Sequence, residues 1–130
     1  MFNLIYRDGA RENAGRYETL EKVSADTAFA CGQAVALSGG KASEATNTTK
    51  PYGIVAADSP AGESEVVVLK VEHDMVFSVP ANVDPKGFAK GDKCTIVAGG
   101  KLGAEGAGPA AIVNACGAQN VGDRVEVRFE

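Results

Sequence analysis

The single histidine is the first residue of this chain whose type and setting could do chemistry. His73 stands between Glu72 and Asp74, and imidazole and carboxylate groups together are the ligands of metal sites and the groups of acid–base catalysis. On a strand, alternate side chains point to opposite faces, so Glu72 and Asp74 share one face and His73 takes the other. The sequence therefore predicts a solvated or hydrogen-bonded histidine at a strand end, with no metal and no other cofactor.

The sequence Gly-Gly-Lys occurs twice, at residues 39–41 and 99–101. A phosphate-binding loop needs a glycine five residues before its Gly-Lys pair, but Val35 and Thr95 occupy that position. Paired glycines also supply the positive φ that a tight hairpin turn requires. We therefore predict two hairpin turns and no phosphate site.

A small hydrolase is the remaining catalytic alternative. His73 with Asp74 or Asp58 could join a nucleophile, because catalytic triads assemble in space rather than in sequence. This alternative requires His73 within hydrogen-bond reach of a Ser, Thr or Cys in a cleft. No Gly-x-Ser-x-Gly elbow supports it, and we predict no catalytic residues and no enzyme.

A duplication, rather than a site, organises most of the chain. Residues 29–71 and 88–129 each begin with Phe-Ala-x-Gly, pass an apolar run to Gly-Gly-Lys, and end in a valine-rich segment. Two copies are too few for a solenoid. We predict a mainly β fold, a small single-domain β-barrel or β-sandwich built from two similar strand–hairpin–strand units. The two copies should superpose around one shared core, with four residues at matching places inside: Val67, Leu69, Val125 and Val127.

Strands are predicted where β-branched residues cluster or apolar and polar residues alternate. The last segment alternates cleanly, with Val125, Val127 and Phe129 pointing inward. A helical turn or two is expected at residues 17–23 and 109–113. The predicted strands are residues 34–37, 53–57, 65–71, 75–79, 93–97 and 124–129.

Composition excludes several classes of partner. The net charge of −4 argues against nucleic acid, which would favour a basic face. The sequence contains no apolar run of 18 residues, so we predict no membrane span. Its first residues lack the basic-then-apolar layout of a signal peptide, so we predict no export by the Sec pathway. The three cysteines fit no metal spacing, so we expect three buried free thiols in a reducing compartment.

Residues 1–22 differ from the duplicated body, so we predict an extended N-terminal arm at 1–22 and a β domain at 23–130. Alternation in the first residues gives an extended segment one apolar face. Such a segment can add to the edge of a partner's sheet, although pairing within its own chain is an open alternative. The candidate contact residues, for a capsid or a neighbouring copy, are Phe2, Asn3, Leu4, Ile5, Tyr6 and Arg7.

Three segments together resemble a known family. They are Gly32-Gln33-Ala34-Val35-Ala36-Leu37, then Lys50-Pro51-Tyr52-Gly53-Ile54-Val55-Ala56-Ala57-Asp58, then Ala61-Gly62-Glu63 before a valine-rich strand. This arrangement resembles the decoration proteins of tailed-phage heads, including the lambda-type head-stabilising proteins. The likeness covers roughly residues 28–79, and residues 90–130 continue in the same style.

The resemblance implies a partner and a location. Members of this family sit on the outer surface of an expanded phage head, often as homotrimers, and an N-terminal segment commonly pairs with the major capsid protein. The chain would then be made in the host bacterial cytoplasm and become part of the virion. The alternative is a receptor- or glycan-binding module of a phage fibre or surface layer, against which the absence of tryptophan counts.

Overall fold

The computed structural model describes residues 1–7 and 16–130, with only the backbone of Tyr6 and Arg7. The secondary structure of these residues consists of strands, without a helix. In chain order the strands are β1 (Asn3–Arg7), β2 (Tyr17–Glu21), β3 (Ala34–Ser38), β4 (Lys41–Glu44), β5 (Gly53–Val55), β6 (Glu65–Lys70), β7 (Met75–Pro80), β8 (Lys93–Val97), β9 (Lys101–Glu105), β10 (Ala110–Asn114) and β11 (Arg124–Phe129).

The strands form two antiparallel sheets. The six-stranded sheet has the order β1-β7-β11-β10-β8-β9, and the five-stranded sheet has the order β2-β6-β5-β3-β4. Neither sheet closes into a barrel. Isolated bridges join Lys22 after β2 to Ala42 in β4, and Ala81 after β7 to Leu102 in β9. The prediction of a mainly β fold is confirmed, and the arrangement is consistent with a β-sandwich.

The five-stranded sheet and strands β7–β11 share one strand order. Their cross-strand registers also correspond. Four pairs between β2 and β6 recur between β7 and β11 with every residue number raised by 59, as in Glu18–Val68 and Phe77–Val127. Residues 59 apart in these strands therefore occupy the same register position.

The main hydrophobic core lies between the sheets. Both sheets contribute to it, and its aromatic centre is formed by Phe2, Phe77 and Phe129. A second, smaller cluster covers the other face of the five-stranded sheet. In β6, for example, Val66 and Val68 join the second cluster while Leu69 joins the main core. Burial on both faces explains why this strand is apolar nearly throughout.

The predicted core contains one error. Leu69, Val125 and Val127 are buried, but Val67 is 37% exposed. The sequence comparison paired Val67 with Val125, an offset of 58, whereas the registers of β6 and β11 correspond with an offset of 59. Val67 therefore corresponds to the half-buried Glu126, because a slip of one residue moves a side chain to the other face of its strand.

The hairpin turns are confirmed and the helical turns are wrong. Gly39, Gly40, Gly99 and Gly100 all have positive φ and connect β3 to β4 and β8 to β9. The segments predicted as helical turns are strands β2 and β10. Each predicted strand contains or overlaps an observed one, while β4 and β9 were not predicted.

The prediction of three buried thiols holds for one cysteine. Cys94 is buried, and desolvation, followed by the charges of Glu105 and Asp92, raises its pKa to about 11. Cys31 and Cys116 are exposed because both lie in turns outside the strands.

Candidate functional site

The candidate site is the N-terminal strand β1, which the sequence predicted as an external arm. In the structure β1 pairs antiparallel with β7, from Asn3 opposite Ser78 to Arg7 opposite Met75. β2, which also belongs to the predicted arm, pairs with β6. The segment is therefore an edge strand of the body rather than a free arm, which is the alternative that the sequence left open.

Phe2 anchors the start of this strand. Its side chain is 2% exposed, and its ring centroid lies 5.1 Å from that of Phe129 and 6.5 Å from that of Phe77, both in edge-on geometry. Its backbone N–H donates to the carbonyl oxygen of Gly32 over 2.8 Å. Aromatic packing of this kind fixes the position of β1 in the sheet.

Arg124 fastens the same end from outside. Its Nη2 donates to the carbonyl oxygens of Met1 and Ser78, each over 2.8 Å, and its Nε donates to Oγ of Ser78 over 2.7 Å. Burial, and to a smaller extent the charges of Arg124 and Lys101, lowers the pKa of the Met1 ammonium group. The beginning of β1 is thus held by the packing of Phe2 in the core and by the hydrogen bond from the Arg124 guanidinium to the carbonyl oxygen of Met1.

The pairing of β1 with β7 leaves the other predicted contact residues with different exposures. Asn3 is exposed, Leu4 is half-buried against the main core, and Ile5 is 39% exposed at a bulge in the register. The side chains of Tyr6 and Arg7 lie outside the described residues. The accessible part of β1 therefore includes Asn3 and Ile5.

β1 is the terminal strand of its sheet. Among residues 1–7 and 16–130, no strand pairs with its outer side. A terminal strand presents backbone N–H and C=O groups that can pair with a strand of another chain. The chemistry available at this site is therefore association through backbone hydrogen bonds, supported by exposed side chains beside them.

The alternative catalytic site suggested by the sequence centres on His73. His73 is exposed beside a cleft that is lined by Asp74, Arg128 and Glu130 and has no Ser, Thr or Cys in its lining. Within the described part of the chain, no group of three or more His, Cys, Asp or Glu residues could hold a metal ion.

Lys22 is a buried residue that the sequence analysis missed. Its side chain is 5% exposed, and Nζ donates to the carbonyl oxygens of Thr27, Ser59 and Pro60 over 2.8, 3.3 and 3.0 Å. It also lies over the ring of Phe29 at 5.9 Å. Lys22 thus connects the loop that contains Thr27 to the loop that contains Ser59 and Pro60. The sequence could not predict this contact, because backbone carbonyl groups that surround a lysine leave no sequence motif.

No protein-family model and no curated protein matches this chain. In the described part of the chain, no helix has the length and apolar character to cross a membrane.

Proposed function

We propose that this protein is a decoration protein that binds the outer surface of an expanded phage head. The proposal rests on the resemblance of residues 28–79 to head decoration proteins and on one structural observation, the outer edge of β1, with which no strand of residues 1–7 and 16–130 pairs. The start of β1 is held by the ring contact of Phe2 with Phe129 and by the hydrogen bond from Arg124 to the carbonyl oxygen of Met1. A strand that is already ordered adds to a partner with less loss of conformational entropy than a free arm.

The mechanism of stabilisation would be mass action. A ligand that binds only one state of an assembly shifts the equilibrium toward that state. A protein that contacts two neighbouring capsid subunits also gains from the high effective concentration of the second contact. Binding to the expanded shell alone would therefore oppose its opening under internal pressure.

We also infer that the two sheets derive from copies of one unit. The shared strand order and the offset of 59 in the register support this inference. So do equivalent hydrogen bonds outside the strands, such as Gly32 N–H to Val55 and Gly91 N–H to Ile112. Superposition of an experimental structure would test it, and unrelated paths of the two halves would contradict it.

A matched pair of surface substitutions tests the role of the β1 edge. Ile5→Lys places a charge on the exposed edge strand, and a charge at such a position opposes strand pairing. Val121→Lys makes the same change at another exposed site, since Val121 is 63% exposed in a turn. We expect Ile5→Lys to weaken binding to purified expanded heads at least tenfold and Val121→Lys to leave it unchanged, as measured by co-sedimentation.

Both variants should keep the melting temperature of the unmodified protein, because both side chains are exposed. Equal capsid binding by the two variants would show that the β1 edge is not the contact. Specific glycan binding together with no capsid binding would instead support the receptor-binding alternative.

A further inference from the structure

The edge of β2 corresponds to an edge that is already occupied elsewhere in the same molecule. By the offset of 59, β2 residues 17–19 occupy the register positions of β7 residues 76–78. In β7 these positions pair with β1. In β2 no described residue pairs with them on the outer side.

Backbone geometry shows which groups are available there. The N–H of Lys70 donates to the carbonyl of Arg16, and the N–H of Lys22 donates to the carbonyl of Ser64. Because the direction of backbone groups alternates along a strand, even-numbered residues of β2 bond to β6. The N–H and C=O groups of Tyr17 and Thr19 therefore point outward.

The far end of the same edge is occupied. The N–H of Val23 donates to the carbonyl of Ala42 in β4 over 3.0 Å. The equivalent bond in the other sheet joins Asn82 and Leu102, and β1 still fits beside it on β7. An added strand therefore has room along the first half of β2 but not along its last residues.

Exposed apolar side chains lie beside this first half. Tyr17 is 66% exposed, and Val67 on the neighbouring strand is 37% exposed. Tyr17 pairs directly with Leu69, so Tyr17 and Val67 lie on the same face of the sheet as Leu69. Edge strands with exposed apolar side chains are sites of association.

We propose that β2 pairs with β2 of a second copy of this chain, antiparallel about a two-fold axis at Tyr17. This interaction goes beyond the proposed capsid contact and does not depend on it. The register follows from charge. Centring the pair on Tyr17 places Arg16 of each copy opposite Glu18 of the other, which gives two ion pairs.

The neighbouring registers are less favourable. Pairing Tyr17 with Thr19 of the other copy places the two Glu18 carboxylates opposite each other, and like charges there are destabilising. Centring on Thr19 places Tyr17 opposite Glu21, where β4 already contacts the edge. Pairing with β1 of another copy, by analogy with β7, would place Leu4 opposite Glu18.

The two charged groups are available for the exchange. Arg16 is exposed and forms no ion pair with a described residue. Glu18 is half-buried, and its Oε2 accepts a hydrogen bond from the hydroxyl group of Tyr52. Its Oε1 has no hydrogen bond to the described part of the chain, so it can accept from a guanidinium. The same contact is made twice, as a two-fold interface requires.

Charge exchange tests this interface. Sedimentation velocity of the full chain should show a dimer, with twice the 13.3 kDa mass of one chain. Arg16→Glu and Glu18→Arg should each weaken dimerisation at least tenfold, because each places like charges opposite one another. The double variant Arg16→Glu/Glu18→Arg should restore the dimer.

Lys86→Glu is the control, because Lys86 is exposed in the loop between β7 and β8 and its substitution changes the net charge as Arg16→Glu does. This variant should remain dimeric. Melting curves verify that each variant is folded. A monomeric or trimeric unmodified protein, dimeric single variants, or a monomeric double variant would overturn the proposal.

Discussion

Lys22 shows how a charged residue can stabilise an apolar region. Its three hydrogen bonds to carbonyl oxygens compensate for its burial beside Phe29. Hydrogen bonds that involve a charged group contribute more than neutral ones, and an unpaired buried acceptor is costly. The loops that supply the carbonyls therefore depend on this one ammonium group.

Lys22→Met keeps the length of the side chain but removes its donors. We expect a decrease of about 2 kcal/mol in the free energy of unfolding, because the buried carbonyls lose their partner. Urea denaturation measures the change. Lys86→Met is the control, since Lys86 is exposed, and equal stability of the two variants would contradict this role of Lys22.

Gly108 is required by a close backbone approach. A Cβ atom at this position would lie 1.9 Å from the carbonyl oxygen of Cys94, where no flexible side chain can yield. Gly106, two residues earlier, has nothing within 4 Å of the same position and no positive φ. Neither glycine has a positive φ, so packing is what distinguishes the two positions.

Gly108→Ala should destabilise the protein by about 1–3 kcal/mol through overpacking. Gly106→Ala should change the stability by less than about 1 kcal/mol, since alanine there only reduces the freedom of the unfolded chain. Thermal unfolding of both variants compares them directly. A neutral Gly108→Ala would show that β8 and the strand after Gly108 are not packed as described.

At the scale of elements, the N-terminal strand is the largest departure from the sequence prediction. If residues 1–22 formed a free arm, removing them would leave the stability of the folded protein unchanged. In the structure Phe2 is part of the main core, so the strand contributes to folding as well as to any contact made by its edge.

Phe2→Ala should therefore lower the free energy of unfolding by about 3–5 kcal/mol, as expected for truncating a buried aromatic side chain. Ile5→Ala on the same strand should cost less than about 1 kcal/mol because Ile5 is partly exposed. Chemical denaturation distinguishes the two. A small effect of Phe2→Ala would restore the free-arm interpretation.

The strands that could be predicted are those in which composition and burial agree. β8 and β11 were predicted with the observed bounds, β8 from its short apolar run before a glycine pair and β11 from the alternation of its apolar residues. The Gly-Gly turns were predictable because only glycine adopts two consecutive positive φ values at low cost. In contrast, β2 alternates only between exposed and half-buried residues, so its sequence has no clear apolar face. Its extended conformation depends on its pairing with β6.

Other features depend on contacts that are distant in sequence. β4 and β9 have little β propensity and form because their hairpin turns fold them onto β3 and β8. The carbonyl groups around Lys22 come from two separate loops. The pairing of β1 with β7 could be stated only as one of two alternatives, because an amphipathic strand fits its own sheet and a partner's sheet equally well.

At the scale of the whole molecule, the two proposed contacts lie on different sheets. The β1 edge belongs to the six-stranded sheet and the β2 edge to the five-stranded sheet. A dimer formed through β2 would carry two β1 edges. Such a bivalent particle could contact two capsid subunits at once, which increases the strength of attachment without new contacts.

The most direct test of the proposed function is the stoichiometry of binding to phage heads in two states. Purified protein is titrated onto expanded and unexpanded heads that lack it, and bound copies per particle are counted after sedimentation. We expect saturation in fixed proportion to the major capsid protein on expanded heads, and little binding to unexpanded ones. Saturation at a few copies per particle, or equal binding to both states, would contradict the proposal that this protein decorates and stabilises the expanded head.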